Sequence, residues 1–333
     1  MVQPPIIEVN QLTKTYQVHE REPGLRQAFR SLFKRQYRAV TALHPVTFSV
    51  APGERVGLIG PNGAGKTTTI KMLAGLLEPG GGTARVNGFI PGRRQPEFLR
   101  SISVILGNKS QMMWDIPPLD TFRVLGEIYA VPRHELEQRI EALTEMLDLR
   151  QVLNRPVRNL SLGERMKCEL TAGLLHNPRV LFLDEPTLGL DVSVQIRLRQ
   201  FIAETSDRSG AAVLVTSHTM ADLTALCERV LLLKEGRLIY DGSLKALAHR
   251  VTPYKEIHCQ LDHQITSAQA VAVLPPGSEL TGHEDHQLTL RIPRSETART
   301  TALLLEALPI FDLSVVDAPI ETVIDQVYQG GGL

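Results

Sequence analysis

Cysteine is scarce. Only three occur in 333 residues, at 168, 227 and 259, and their odd number and irregular spacing offer neither a disulfide framework nor a metal-ligand pattern. They read as buried free thiols of a reducing compartment. Aromatics make up 5% of the chain, and charge of either sign is not in excess: 36 Lys+Arg stand against 36 Asp+Glu. That neutrality argues against a wholesale nucleic-acid binder, which usually carries a basic surplus. The longest apolar runs, at 180–183 and 230–233, fall far short of the ~20 residues that span a bilayer. Residues 1–9 have no basic start and carry Glu8 within their only apolar run, so no secretory signal is expected. What is present is ordinary globular material: 43% hydrophobic and 22% charged residues, in a length that suits two domains of about 100–200 residues.

Short β-rich runs at 6–9, 46–50, 55–59, 180–183, 212–216 and 230–233 alternate with helical patterns at 65–76, 192–205 and 220–227. The alternation predicts an α/β domain over 1–245 with a mainly parallel sheet. Between 107 and 176 helical periodicity takes over, as a helical subdomain inside that domain. Residues 17–41 read as a basic amphipathic insert. Six Arg or Lys lie between 21 and 38, and Leu25, Phe29, Leu32 and Phe33 would share one helical face. Such a helix can lie on an anionic surface, enter a partner groove, or pack on its own domain with a solvated basic face. A linker is expected at 246–255. Residues 256–333 then run β-α-β-β-α-β, the order of a small ferredoxin-like α+β domain. Its histidines His258, His263, His283 and His286 have no regular metal spacing.

Gly60-Pro61-Asn62-Gly63-Ala64-Gly65-Lys66-Thr67 matches G-x-x-x-x-G-K-[ST] and stands between a predicted strand and a predicted helix, with Thr68 next in the first turn. The glycines let backbone N–H groups converge on phosphate, and the helix N-terminus adds partial positive charge. Lys66 would reach the β- and γ-phosphates of ATP, and Thr67 would ligate Mg²⁺. Residues 180–183 form an apolar run that leads straight into Asp184 and Glu185. Buried-strand chemistry ending in two acids suits a metal-holding Asp184 and a Glu185 that polarises an attacking water.

Further residues carry a family resemblance. Leu160-Ser161-Leu162-Gly163-Glu164 resembles the LSGGQ signature of ATP-binding cassette (ABC) proteins, and Gly189-Leu190-Asp191 resembles their D-loop. His218 matches their switch histidine, Tyr16 the aromatic that stacks on adenine, and residues 6–245 follow the order of an ABC-type P-loop NTPase domain with its helical subdomain. The wording SLGERMKCEL, GLDVS and KSQMMWD is similar to the subgroup serving ABC-2-type bacterial exporters. The tail through Asp317-Ala318-Pro319-Ile320 is similar to an accessory C-terminal domain of such subunits.

The resemblance implies two cassettes sandwiching two ATP molecules head to tail. Ser161 and Gly163 of one would face the γ-phosphate held by the other, with Asp191 also among the nucleotide-binding residues and His218 sensing the γ-phosphate. It also implies separate permease subunits and a peripheral position on the cytoplasmic face of the inner membrane. Two departures stand out. Leu162 and Glu164 replace the usual signature residues, and by register the Q-loop glutamine falls on Asn108, a shorter carboxamide for the metal, with Gln111 as the alternative. Met112, Met113 and Trp114 read either as a cap on the helical subdomain or as part of a groove for a permease helix. The reading is an ATPase subunit of an ABC-2-type exporter. Its rivals are a soluble ABC ATPase working on ribosomes or nucleic acid, and a regulatory P-loop switch.

Overall fold

The computed structural model describes residues 4–19, 37–107, 110–217 and 219–329, and the chain forms two compact units, Met1–Asp241 and Gly242–Leu333. The first unit opens with an antiparallel sheet in the order β2-β1-β4, made from β1 (Ile7–His19), β2 (Tyr37–Val50) and β4 (Gly81–Val86). The described ends of the 17–41 stretch are strand. Gln17 pairs with Ala39 and Val18 with Arg38. The remaining basic stretch lies outside the described residues. Register slips along β1 where Gln11 adopts a positive φ of 50°. Gly82 opposes that bulge, and a Cβ there would come within 2.1 Å of the Gln11 carbonyl oxygen, so only glycine fits.

The central sheet has the order β5-β6-β7-β3-β8-β9, from β3 (Arg55–Ile59), β5 (Ile102–Leu106), β6 (Val180–Asp184), β7 (Ala212–Thr216), β8 (Arg229–Lys234) and β9 (Arg237–Ser243). Its first five strands run parallel. These strands are near-continuous apolar runs because a parallel sheet is covered on both faces. A two-residue turn, Glu235–Gly236, joins β8 to β9 with both residues at positive φ, as a tight hairpin requires. Helices α1 (Lys66–Leu73) and α2 (Pro96–Ser101) follow β3 and β4. Between β5 and β6 lie α3 (Pro118–Ile128), α4 (Arg133–Met146) and α5 (Leu162–Leu174). After β6 come α6 (Val192–Ser209) and, past β7, α7 (Met220–Leu226). One buried cluster joins both sheets through α1, including Ile7, Leu43, Ile70, Leu73, Phe182 and Leu214. Each such fully buried side chain contributes roughly 1.5–3 kcal/mol.

The second unit begins with helix α8 (Leu244–Val251), which overlaps the 246–255 stretch, and β10 (Tyr254–Leu261) starts shortly after. Leu244 and Leu247 give α8 a buried stripe, and it packs on the last helix, α11 (Ile320–Gln329). Then follow α9 (Ser267–Ala272), β11 (Glu279–Glu284), β12 (Gln287–Pro293), α10 (Thr297–Ala307) and β13 (Ile310–Asp317). All pairs in the sheet β11-β12-β10-β13 are antiparallel, the ferredoxin-like arrangement. Strict alternation of Ile257, Cys259 and Leu261 with Leu288, Leu290 and Ile292 builds one buried face against Ala270 and Leu304. His258, His283 and His286 bond to Thr289, Ser267 and the Leu261 carbonyl. Among the described residues no helix is long and apolar enough to cross a membrane.

All three cysteines are buried. Burial pushes the Cys168 and Cys227 thiols up to about 12 and Cys259 up to about 11. A thiolate-directed reagent at about pH 8 should therefore leave the native chain unlabelled and modify every cysteine once guanidinium unfolds it. Rapid labelling of the native chain would contradict this packing.

Candidate functional site

The phosphate loop leaves the C-terminal end of β3 and becomes α1 at Lys66. Two of its glycines are required by geometry. Gly65 caps α1 at φ 102°, where a Cβ would lie 2.8 Å from the Ala42 carbonyl oxygen. At Gly60 a Cβ would lie 2.6 Å from the Leu233 carbonyl oxygen. Gly63, at φ 82°, faces open space. The Ala64 N–H donates to the Pro61 carbonyl at 3.1 Å and closes the turn over the exposed Asn62. Lys66 is only 6% exposed, and its Nζ donates to the carbonyls of Gly60 at 2.6 Å and Pro61 at 3.2 Å. Burial lowers its pKa, while the nearby Glu185 and Asp184 carboxylates pull it back up. No acidic residue occupies the first turn of α1, so the positive end of that helix, with Thr67 and Thr68 half-buried there, is suited to an anion.

Asp184 ends β6 and is shared. Thr67 Oγ1 donates to it at 2.9 Å and Thr216 Oγ1 at 2.6 Å. The side-chain oxygens of Thr67 and Asp184 are thus adjacent hard donors, the set that suits Mg²⁺. The next residue, Glu185, adopts a left-handed φ of 56°. That costs a non-glycine residue on the order of 1–3 kcal/mol and persists only where neighbours impose it. Here its N–H donates to both the carbonyl and the hydroxyl oxygen of Thr216 at 3.1 Å, and its carbonyl accepts from the Leu188 N–H at 3.2 Å. Gly107 lies against it, since a Cβ there would come within 3.0 Å of the Glu185 carbonyl oxygen.

Ser161 caps α5. Its Oγ accepts from the Glu164 N–H at 3.2 Å, and Glu164 Oε2 accepts from the Ser161 N–H at 2.7 Å. This capping box explains the glutamate in the signature segment. Because Ser161 Oγ accepts within the box, its proton stays available for an outside acceptor. Gly163 sits over the Val194 side chain, and Leu162 over Gly189. Asp191 stands at the start of α6, exposed and with no side-chain cap bond, flanked by the exposed Leu188 and Val192. Tyr16 is an exposed β1 residue paired with Val40, with Lys14 Nζ 5.5 Å from its ring centre.

Asn108 and His218 lie outside the described residues. Gln111 donates its carboxamide N–H to the Val104 carbonyl at 3.0 Å, so that nitrogen is committed to β5. Two residues that sequence reasoning missed hold the site together. Thr216 could have been suspected as the polar end of an apolar run. Buried Glu169, on α5, accepts from Ser110 Oγ and from the Gln111 and Met112 N–H groups, and nothing local in the sequence announces it.

Comparison with known proteins gives the same reading. The family described as "ABC transporter" matches residues 43–188, and "EvrA-like ABC transporter, C-terminal domain" matches residues 253–316. The ABC transporter ATP-binding protein NatA of Bacillus subtilis (strain 168) is 35% identical, over 65% of this chain and 87% of its own. The chain belongs to the ABC transporter ATP-binding proteins. Nod factor export ATP-binding protein I of Paraburkholderia xenovorans (strain LB400) is 34% identical, over 64% of this chain and 70% of its own. A solved ATP-binding subunit of an ABC transporter superposes with a TM-score of 0.62 at 27% identity, over 73% of this chain and 92% of that one. The chain thus belongs to a family of nucleotide-binding ATPases, and its geometry brings Lys66, Thr67 and Asp184 together.

The signature cap is open to test in this cassette. Ser161→Ala should lower stability by about 0.5–2 kcal/mol in a denaturant titration. The Ser161 N–H bond holds the Glu164 carboxyl below the usual glutamate range. Its contribution is therefore present above that range and lost as pH falls through the lowered value. Glu164→Gln should flatten that acid-limb dependence; an unchanged limb would mean that the box adds nothing.

Proposed function

We propose that this cassette hydrolyses ATP at the joint between the phosphate loop and the acidic pair, and that it powers an ABC-2-type exporter through separate permease chains. One observation carries the chemistry: Thr67, on α1, and Asp184, at the end of β6, meet at 2.9 Å beside a buried lysine. On binding ATP, Lys66 exchanges the Gly60 and Pro61 carbonyls for phosphate oxygens. Thr67 and Asp184 would hold Mg²⁺, with Asn108 as a further candidate ligand, and the ion would neutralise charge on the phosphate oxygens. Glu185 takes a proton from the attacking water as the bond between the γ-phosphorus and the ADP oxygen breaks.

Half of each site comes from a second cassette. Ser161 and Gly163 of that copy present a helix N-terminus and a free hydroxyl proton to the γ-phosphate, so nucleotide completes the dimer. Leu162, Leu188, Val192 and Ile196 are exposed apolar residues on the signature and D-loop segments, as a face awaiting its mate would have. His218 senses the γ-phosphate, and Tyr16 stacks on adenine.

An apolar cavity beside α3 and β5 supports a permease contact there. A cavity of about 530 Å³ there has apolar walls that include Leu99, Val104, Ile128 and Tyr129, with Arg94 and Arg100 at its border. Met113 and Trp114, just beyond the lining residue Gln111, are exposed. Trp114 lies under the Arg165 guanidinium, 5.5 Å from its ring centre. A permease bound here puts the cassette on the cytoplasmic face of the membrane. Export follows from the named activity of similar proteins, among them a Nod factor export ATP-binding protein.

Two measurements test this. Glu185→Gln should bind ATP and accumulate as a closed dimer with turnover reduced on the order of a hundredfold or more; brisk hydrolysis would remove Glu185 as base. A mild-detergent pull-down of tagged chain from native membranes should bring stoichiometric polytopic permease. Ribosomal protein or nucleic acid without permease would overturn the exporter reading.

A further inference from the structure

Asp222 lies in the first turn of α7, 1% exposed, and belongs to none of the nucleotide motifs. Its carboxylate gathers donors from three separate segments. Ser217 Oγ donates to Oδ2 at 2.5 Å, Thr187 Oγ1 donates to the same oxygen, and Arg199 Nε on α6 donates to Oδ1 at 2.5 Å. Arg199 is 12% exposed, and its Nη2 donates to Gln195 Oε1 at 3.0 Å. Gln195 Nε2 then returns to the carbonyls of Thr187 at 3.3 Å and Leu190 at 3.1 Å. The result is a closed polar ring, buried at Asp222, Thr187 and Ser217 and half-buried at Arg199 and Gln195. It ties the turn after Glu185 to the helix that starts at Asp191 and to Ser217, just past β7.

This ring bears on the one strained residue of the acidic pair. Glu185 holds φ 56° between two anchors. Before it, Thr216 accepts its N–H. After it, the turn is fastened at Thr187, two residues on, to the Asp222 carboxylate. Untying the second anchor would let the backbone relax toward the right-handed region and swing the carboxylate. We infer that Asp222 is a positioning residue for hydrolysis, acting through Thr187 on Glu185. The inference rests on the ATPase reading above.

Neither Thr187 nor Ser217 is part of the phosphate loop. Loss of the ring should therefore slow turnover and leave nucleotide affinity alone, whereas a purely structural ion pair would lower the melting temperature without separating the two. The test uses the full chain as wild type, Asp222→Asn, Thr187→Val and Thr187→Ser, reading phosphate release and the Kd of a fluorescent ATP analogue. Thr187→Val keeps the side-chain shape and leaves the Arg199–Asp222 pair intact, so it serves even if Asp222→Asn fails to fold. We expect kcat to fall roughly tenfold to a hundredfold in Asp222→Asn and Thr187→Val, with Kd and KM within about twofold of wild type. Thr187→Ser, which retains the hydroxyl, should stay near wild type. Equal kcat in the valine and serine variants would overturn the inference and leave the ATPase reading standing. No hydrolysis by the wild type would overturn both.

Discussion

The Asp184 carboxylate, shared between Thr67 and Thr216, is the joint on which this molecule turns. It exists because β6, β7 and β3 are parallel neighbours, so their C-terminal ends meet on one edge of the sheet. The phosphate loop rises from one of those ends, the acidic pair from another and Thr216 from the third. In open α/β sheets that edge is where ligands bind. The buried runs that make the strands also make the site, since each apolar run stops where its polar residue is needed.

Charge at the joint is kept in balance by proximity. A lysine only 6% exposed would be costly to keep protonated on its own. Asp184 and Glu185 offset part of that cost, and the loop carbonyls of Gly60 and Pro61 accept its hydrogen bonds. The ammonium is thereby parked on weak partners within the loop that is to cradle phosphate. Nucleotide would replace two neutral carbonyls by anionic oxygens, an exchange favoured by charge-assisted hydrogen bonding. The left-handed backbone of Glu185 is held in the same region, by Thr216 on one side and Leu188 on the other.

Much of this was legible from residues alone. The phosphate loop announces itself because glycine spacing, lysine and threonine each answer a stereochemical need, and the acidic pair because an apolar run ends in two charges. The ferredoxin-like tail was readable from its β-α-β-β-α-β order. Other features were not. The long hairpin of β1 and β2 continues through polar, bulged segments such as Gln11–His19, which carry little period-two signal. β5 is a five-residue, mostly apolar strand directly after a short helix, and short runs of that kind do not declare their type. Asp222 looks like any acid in a helix's first turn, and Glu169 like any polar residue on an amphipathic helix. Their meaning comes from partners 35 and 57–59 residues away. The glutamate of the signature segment reverses the pattern: it departs from the family wording, yet its purpose is local, a reciprocal cap with Ser161.

The most direct test of the site is an experimental structure of the full chain with a non-hydrolysable ATP analogue and Mg²⁺. Lys66 Nζ should have left the Gly60 and Pro61 carbonyls for the phosphates, with metal between Thr67 Oγ1 and Asp184 and Ser161 of a second copy facing the γ-phosphate. Nucleotide bound elsewhere, with Lys66 still on its two carbonyls, would contradict the account.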